Sequence, residues 1–102
     1  MGEFIKVAKT SEIAPGTARM VQVQGLELAV FNVDGCYYAI GNHCTHVGGP
    51  LAEGHITGDE VTCPWHGARF KISTGEALGG PARGGATSYQ VRVVGDDIEI
   101  EV

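Results

Sequence analysis

No apolar run in the 102 residues approaches the ~18 needed to cross a membrane as a helix, so nothing is expected to span a bilayer. The opening residues, Met1-Gly2-Glu3-Phe4-Ile5-Lys6, lack the basic region and apolar stretch of a secretory signal. Lys6 also stands where a myristoylation signal needs Ser or Thr. Cysteine is scarce and odd in number, with three in the chain, which argues against a secreted disulfide framework and for a reducing, cytoplasmic compartment. Basic residues are few: seven Lys and Arg against twelve Asp and Glu leave a net charge of −5. An acidic surface disfavours nucleic acid and anionic membranes and suits a partner with a basic docking patch.

Glycine is what the chain has in excess. Its 16 glycines are more than twice ordinary usage, which points to many turns and little helix. With 43% hydrophobic residues the chain is long enough to bury the core of one domain without a disulfide.

The hydrophobic pattern is almost entirely period two. Phe4–Val7 reads as a strand, Ser11–Ile13 as one helical turn, and Ala14-Pro15-Gly16 as a loop. Met20–Gln24 alternates until Gly25 breaks it. Leu28–Val33 and Cys36–Ile40 flank Asp34-Gly35, the strongest short signal for a hairpin because both central residues of that turn need positive φ. Tyr89–Val93 and Ile98–Val102 alternate around Gly95-Asp96-Asp97, predicting a second hairpin with one dry face. Strands at both ends of the chain imply an all-β, antiparallel sandwich or barrel.

Between Gly41 and about Arg83 the alternation is interrupted by Gly48-Gly49-Pro50, Gly54, Gly58, Gly67, Gly75 and Gly79-Gly80-Pro81. Two short strands are expected there, Glu60–Cys63 and Ala68–Ile72, with Ser73-Thr74-Gly75 as a turn. Three of the four histidines and two of the three cysteines lie between positions 44 and 66. A loop-rich insertion carrying reactive side chains in a β base has the organisation of a scaffold and its site.

Two loops carry the chemistry: Cys44-Thr45-His46-Val47-Gly48-Gly49-Pro50 and Cys63-Pro64-Trp65-His66-Gly67. Each supplies one thiolate and one imidazole, with sixteen residues between His46 and Cys63, as if each loop gives one ligand to each of two metals. Thiolates suit iron–sulfur chemistry, and neutral imidazoles on one iron make a cluster easier to reduce than four thiolates would. Two thiolates neutralise an oxidised 2Fe–2S core, so such a cluster can sit near a surface. A single structural zinc on the same four residues is the competing reading. Zinc sites usually group two cysteines and then two histidines, whereas here the types are mixed within each loop. Gly48, Gly49 and Gly67 allow turns that aim backbone N–H groups at sulfides, and Pro50 and Pro64 stiffen the loops.

The paired loops resemble the cluster-binding motif of Rieske proteins. The stretch from Cys63 to Phe70, with Ser73-Thr74-Gly75-Glu76, is especially similar to the Rieske ferredoxins of bacterial aromatic-ring-hydroxylating dioxygenases. The resemblance covers essentially the whole chain. It implies one Rieske-type 2Fe–2S cluster, with Cys44 and Cys63 on the buried iron and His46 and His66 on the solvent-facing iron. It also implies three small antiparallel sheets, with a base of residues 1–40 and 83–102 and an inserted cluster-binding subdomain at 41–82. The implied role is one-electron transfer, without catalysis, from an NAD(P)H-dependent flavin reductase to a terminal aromatic-ring oxygenase.

The chain departs from the Rieske proteins of cytochrome bc complexes. Those carry an extra cysteine in each loop, paired as a disulfide, where this chain has Gly49 and Trp65. They also have a serine and a tyrosine that donate hydrogen bonds to the cluster, where this chain has Ala68 and Phe70. Fewer donors imply a potential at the low end of the Rieske range, roughly −150 mV, which suits electrons originating in NADH.

The remaining candidates have plainer readings. Cys36 has no Cys or His at ligand spacing and is expected to be a small strand residue. His43 and His55 read as loop histidines, His55 facing solvent, while Trp65 could serve packing or docking. Glu53, Asp59, Glu60 and Glu76 fall in the insertion, where they either face basic partners or form an ordinary solvated surface. Two other roles fit the same motif: the small subunit of an NADH-dependent nitrite reductase, and the ferredoxin of a di-iron monooxygenase. An oxygenase with its own catalytic iron would need two further histidines and a carboxylate in a large pocket, and only His43 and His55 are left over.

Overall fold

Asp34 and Gly35 take φ of 52° and 90° in the computed structural model, which describes residues 2–43, 50–65, 67–79 and 84–102. Those values make the two-residue turn that Asp-Gly favours, and they fix the register of β3 (Leu26–Val33) against β4 (Cys36–Gly41) with Val33 opposite Cys36. A second such turn joins β2 (Ala18–Val23) to β3 at Gln24-Gly25, where φ is 49° and 82°. Glutamine gives little warning of positive φ, so Gly25 reads in the sequence as a break and is in fact half of a hairpin turn. At the chain's end Val94 of β10 (Val91–Val94) pairs with Asp97 of β11 (Asp97–Glu101). The turn is therefore Gly95-Asp96, and Asp97 belongs to the strand rather than to the turn.

The described residues form three antiparallel sheets, as expected. The first has the order β1-β11-β10, with β1 spanning Phe4–Lys9. The second has the order β2-β3-β4-β9, where β9 is Ser88–Tyr89. The third is built from one continuous stretch: β5 (His55–Thr57), β6 (Glu60–Thr62), β7 (Arg69–Lys71) and β8 (Ala77–Gly79), paired in that order. Short 3-10 turns at Thr10–Glu12 and Leu51–Glu53 are the helical elements among the described residues. None of these helices is long and apolar enough to cross a membrane.

The second sheet is the middle layer, and this explains why β3 does not alternate. Leu28, Val30 and Ala39 face one core with Val21, Val23, Ala8, Ile13, Ile98 and Ile100. Ala29, Phe31 and Ile40 face another with Leu51, Val61, Cys63, Ala68, Phe70 and Ile72. A strand covered on both faces reads as a continuous apolar run. In the terminal hairpin Ile98 and Ile100 are fully buried and Val91 packs against the same core, but Val93 of β10 is 46% exposed, so the expected dry face stops short of Val93.

Candidate metal centre

The second motif loop grows out of β6. Cys63 follows that strand directly and keeps the inward direction of Val61, two residues before it, so it sits in the core at 2% exposure. Its backbone N–H donates to the Ala68 carbonyl at 2.7 Å, which closes the loop over Pro64–Gly67 just beyond the Thr62–Arg69 pair. The Trp65 N–H then donates to Cys63 Sγ at 3.4 Å. A sulfur with an N–H aimed at it is stabilised as a thiolate. Gly67 has a φ of 79°, a conformation that returns the chain to β7 with no Cβ penalty.

The outside of the loop differs from its inside. Trp65 is 51% exposed, and Pro64 beside it is exposed as well. Trp65 thus places its amide on the sulfur and its indole at the surface. Ala68 and Phe70 are buried in the same core as Cys63, and neither side chain carries a donor.

The first loop departs from the end of β4 and returns at Pro50. His43 and Pro50 form an isolated bridge, and His43 Nε2 lies 2.7 Å from Glu27 Oε1. A third segment packs alongside: Ala86 N–H donates to the Gly75 carbonyl at 2.7 Å, and Gly41 N–H to the Thr87 carbonyl at 2.9 Å. Gly75 has a φ of +80°, and a Cβ there would run into the Ala86 carbonyl. Of the four expected ligands, Cys44, His46 and His66 lie outside the described residues. Cys63 lies within them, and its buried sulfur, apolar surroundings and N–H donor fit an iron–sulfur ligand.

Other sequence candidates fall as follows. Cys36 is exposed at the start of β4, the opposite end of that strand from the first motif loop, and the negative charge of its thiolate raises the phenol pKa of Tyr38 above the ordinary value, with partial burial and Asp59 adding to the effect. His55 is exposed, but it lies in β5, paired with Thr62, and not in a loop. Asp59 is an internal brace: its carboxylate accepts from Ser73 N–H at 3.0 Å and Ser73 Oγ at 2.8 Å, while its carbonyl accepts from Ile72 N–H at 2.7 Å. Glu60 pairs with Arg69 at 3.1 Å, whereas Glu53 and Glu76 are exposed. Asn42, which has no distinctive signal in the sequence, is buried beside the first loop.

Sequence comparison identifies the family. The model of the Rieske [2Fe-2S] domain matches residues 3–90. The chain belongs to the Rieske family. It carries one Rieske-type 2Fe–2S cluster. It is 35% identical over 100 residues to the ferredoxin component of the naphthalene 1,2-dioxygenase system of Pseudomonas aeruginosa, covering 98% of this chain and 96% of that protein. The ferredoxin of carbazole 1,9a-dioxygenase from Nocardioides aromaticivorans IC177 superposes with a TM-score of 0.90 at 30% identity, covering 95% of both chains. A chain from the solved complex of reduced oxygenase and oxidized ferredoxin in carbazole 1,9a-dioxygenase gives a TM-score of 0.90 at 33% identity, covering 96% of this Rieske protein and 92% of that chain.

Proposed function

We propose that this Rieske protein is a cytoplasmic one-electron carrier that takes electrons from an NAD(P)H-dependent flavin reductase and delivers them to a terminal aromatic-ring oxygenase. The observation that carries the reading is end-to-end similarity to a chain solved in a complex of oxygenase and ferredoxin. Cys44 and Cys63 would hold one iron and His46 and His66 the other, within a cluster-binding subdomain at residues 41–82. The bound cluster supplies a one-electron redox step. The protein's own groups bury the Cys63 sulfur, direct the Trp65 N–H to it, and leave Trp65 exposed beside it. It is an electron-transfer component and not itself an enzyme.

The test is to purify the protein, count iron and acid-labile sulfide, reduce it with NADH and a flavin reductase, and mix it with an aromatic-ring oxygenase. Two irons and two sulfides, with rapid re-oxidation by the oxygenase, are expected. One zinc and no sulfide would overturn the cluster assignment, and re-oxidation only by a nitrite reductase would overturn the partner. Replacing His46 or His66 with Ala should strip the outer iron and bleach the protein.

A further inference from the structure

Among the described residues two polar side chains are buried, Asn32 at 2% exposure and Asn42 at 5%. They stand at opposite ends of the β3–β4 hairpin, Asn32 beside the Asp34-Gly35 turn and Asn42 one residue beyond the end of β4. A buried amide has given up its water and needs hydrogen bonds in return. Asn32 finds them by tying down the turn. Its Oδ1 accepts from Gly35 N–H at 2.7 Å, and its Nδ2 donates to the Ile13 carbonyl at 2.8 Å.

Asn42 performs the corresponding task at the other end. Its N–H donates to the Glu27 carbonyl at 3.0 Å, which continues the β3–β4 ladder past the strand. Its carbonyl accepts from Leu51 N–H at 2.7 Å, and its Oδ1 accepts from Ala52 N–H at 2.9 Å. Two consecutive amides at the 3-10 turn Leu51–Glu53 therefore end on one residue. The chain leaves Asn42 toward Cys44 and returns to it after Pro50. Leu51, held by the first of these bonds, is fully buried in the core that contains Cys63. The clamp thus ties the base of the first ligand loop to the packing around a ligand of the second.

We propose that Asn42 is a positioning residue for the metal centre: it holds the return end of the first motif loop, at Leu51 and Ala52, against the core that contains Cys63, and so slows loss of the metal. The proposal rests on the reading of Cys44 and His46 as ligands. An alanine at this position keeps the two backbone bonds and loses the Oδ1 acceptor, which leaves the Ala52 N–H without its partner. An aspartate keeps an acceptor oxygen in the same place.

The experiment compares cluster-loaded, full-length Asn42→Ala, Asn42→Asp and Asn32→Ala. Iron release from the folded protein to a chelator is followed by loss of visible absorption, and unfolding midpoints are measured alongside. Asn42→Ala is expected to release iron about tenfold faster than the parent, the factor of one lost hydrogen bond, and Asn42→Asp, which keeps the acceptor but loses the amide donor and adds a buried carboxyl, to fall between the two. Asn32→Ala is expected to lower the unfolding midpoint without changing release. Hydrogen–deuterium exchange of the peptide covering Leu51–Gly54 should accelerate in Asn42→Ala alone. Equal release from Asn42→Ala and Asn32→Ala, or no faster exchange over Leu51–Gly54, would overturn the clamp. If Asn42→Ala does not accumulate, the parent protein decides: the Ala52 amide must exchange as slowly as core amides, and exchange at the rate of an exposed loop overturns the proposal. Retention of the cluster by His46→Ala would overturn the ligand reading alone, because the exchange measurement depends on no ligand.

Discussion

The Trp65 amide donates to the Cys63 sulfur at 3.4 Å, while Trp65 as a whole is 51% exposed. A single residue therefore stabilises charge on a buried sulfur and contributes to the surface above it. The two roles are separable by mutation, because the amide survives any substitution except proline.

Trp65→Ala retains the N–H and removes the indole. The cluster's reduction potential should stay within error, and stability should change by no more than about 0.5 kcal/mol, as for an exposed site. The oxygenase concentration needed for half-maximal electron transfer should rise several-fold, read by stopped-flow re-oxidation. An unchanged concentration dependence would assign the indole to packing.

Ala68 and Phe70 lie in the same buried core as Cys63 and offer no side-chain donor. Phe70→Tyr or Ala68→Ser adds a hydroxyl there, and a hydrogen bond to a charged acceptor contributes roughly 1.5–3 kcal/mol. Only the difference between the reduced and oxidised states moves the potential. With a tenfold change in equilibrium constant equal to about 59 mV for one electron, a rise of several tens of millivolts per substitution is expected from redox titration. A hydroxyl seen in contact with a cluster sulfur, with no rise in potential, would refute the link between missing donors and low potential.

Cys36→Ser should leave iron and sulfide content and the visible spectrum unchanged, because Cys36 is exposed at the opposite end of β4 from the first motif loop and lies outside the core that holds Cys63. It should also lower the Tyr38 phenol toward its ordinary pKa, since the Cys36 thiolate is the main cause of its rise. Ultraviolet titration of tyrosinate, compared with a Tyr38→Phe control, isolates this group among the three tyrosines. Loss of the cluster would mean that Cys36 is a ligand.

Gly75→Ala combines an unfavourable left-handed backbone at φ +80° with a Cβ driven into the Ala86 carbonyl. A destabilisation of about 1–3 kcal/mol is expected for the strained backbone alone, measured by chemical denaturation. Hydrogen exchange over residues 84–87 should accelerate, since the Ala86 N–H to Gly75 bond is the tie that must give way.

Features set by a few consecutive residues could be read without the fold. The Asp34-Gly35 turn follows from the φ values those two residues tolerate, and with it come the β3–β4 pairing and the antiparallel architecture. The ligand candidates were legible for the same reason: donor type and spacing are local properties, and alternating thiolate and imidazole across two loops points to iron–sulfur chemistry. The tertiary structure decided what depends on the opposite side of a contact. β3 loses its alternation because a second core covers its other face; the apolar run Leu28–Phe31 is the local trace of that, but which elements supply each cover is decided by the fold. Val93 is left in solvent and Asp59 is drawn inward onto Ser73, although the sequence suggests the reverse for each. Asn42 is an ordinary asparagine in the sequence. Its role exists only because folding removes its water and brings the Leu51 and Ala52 amides to it as replacements.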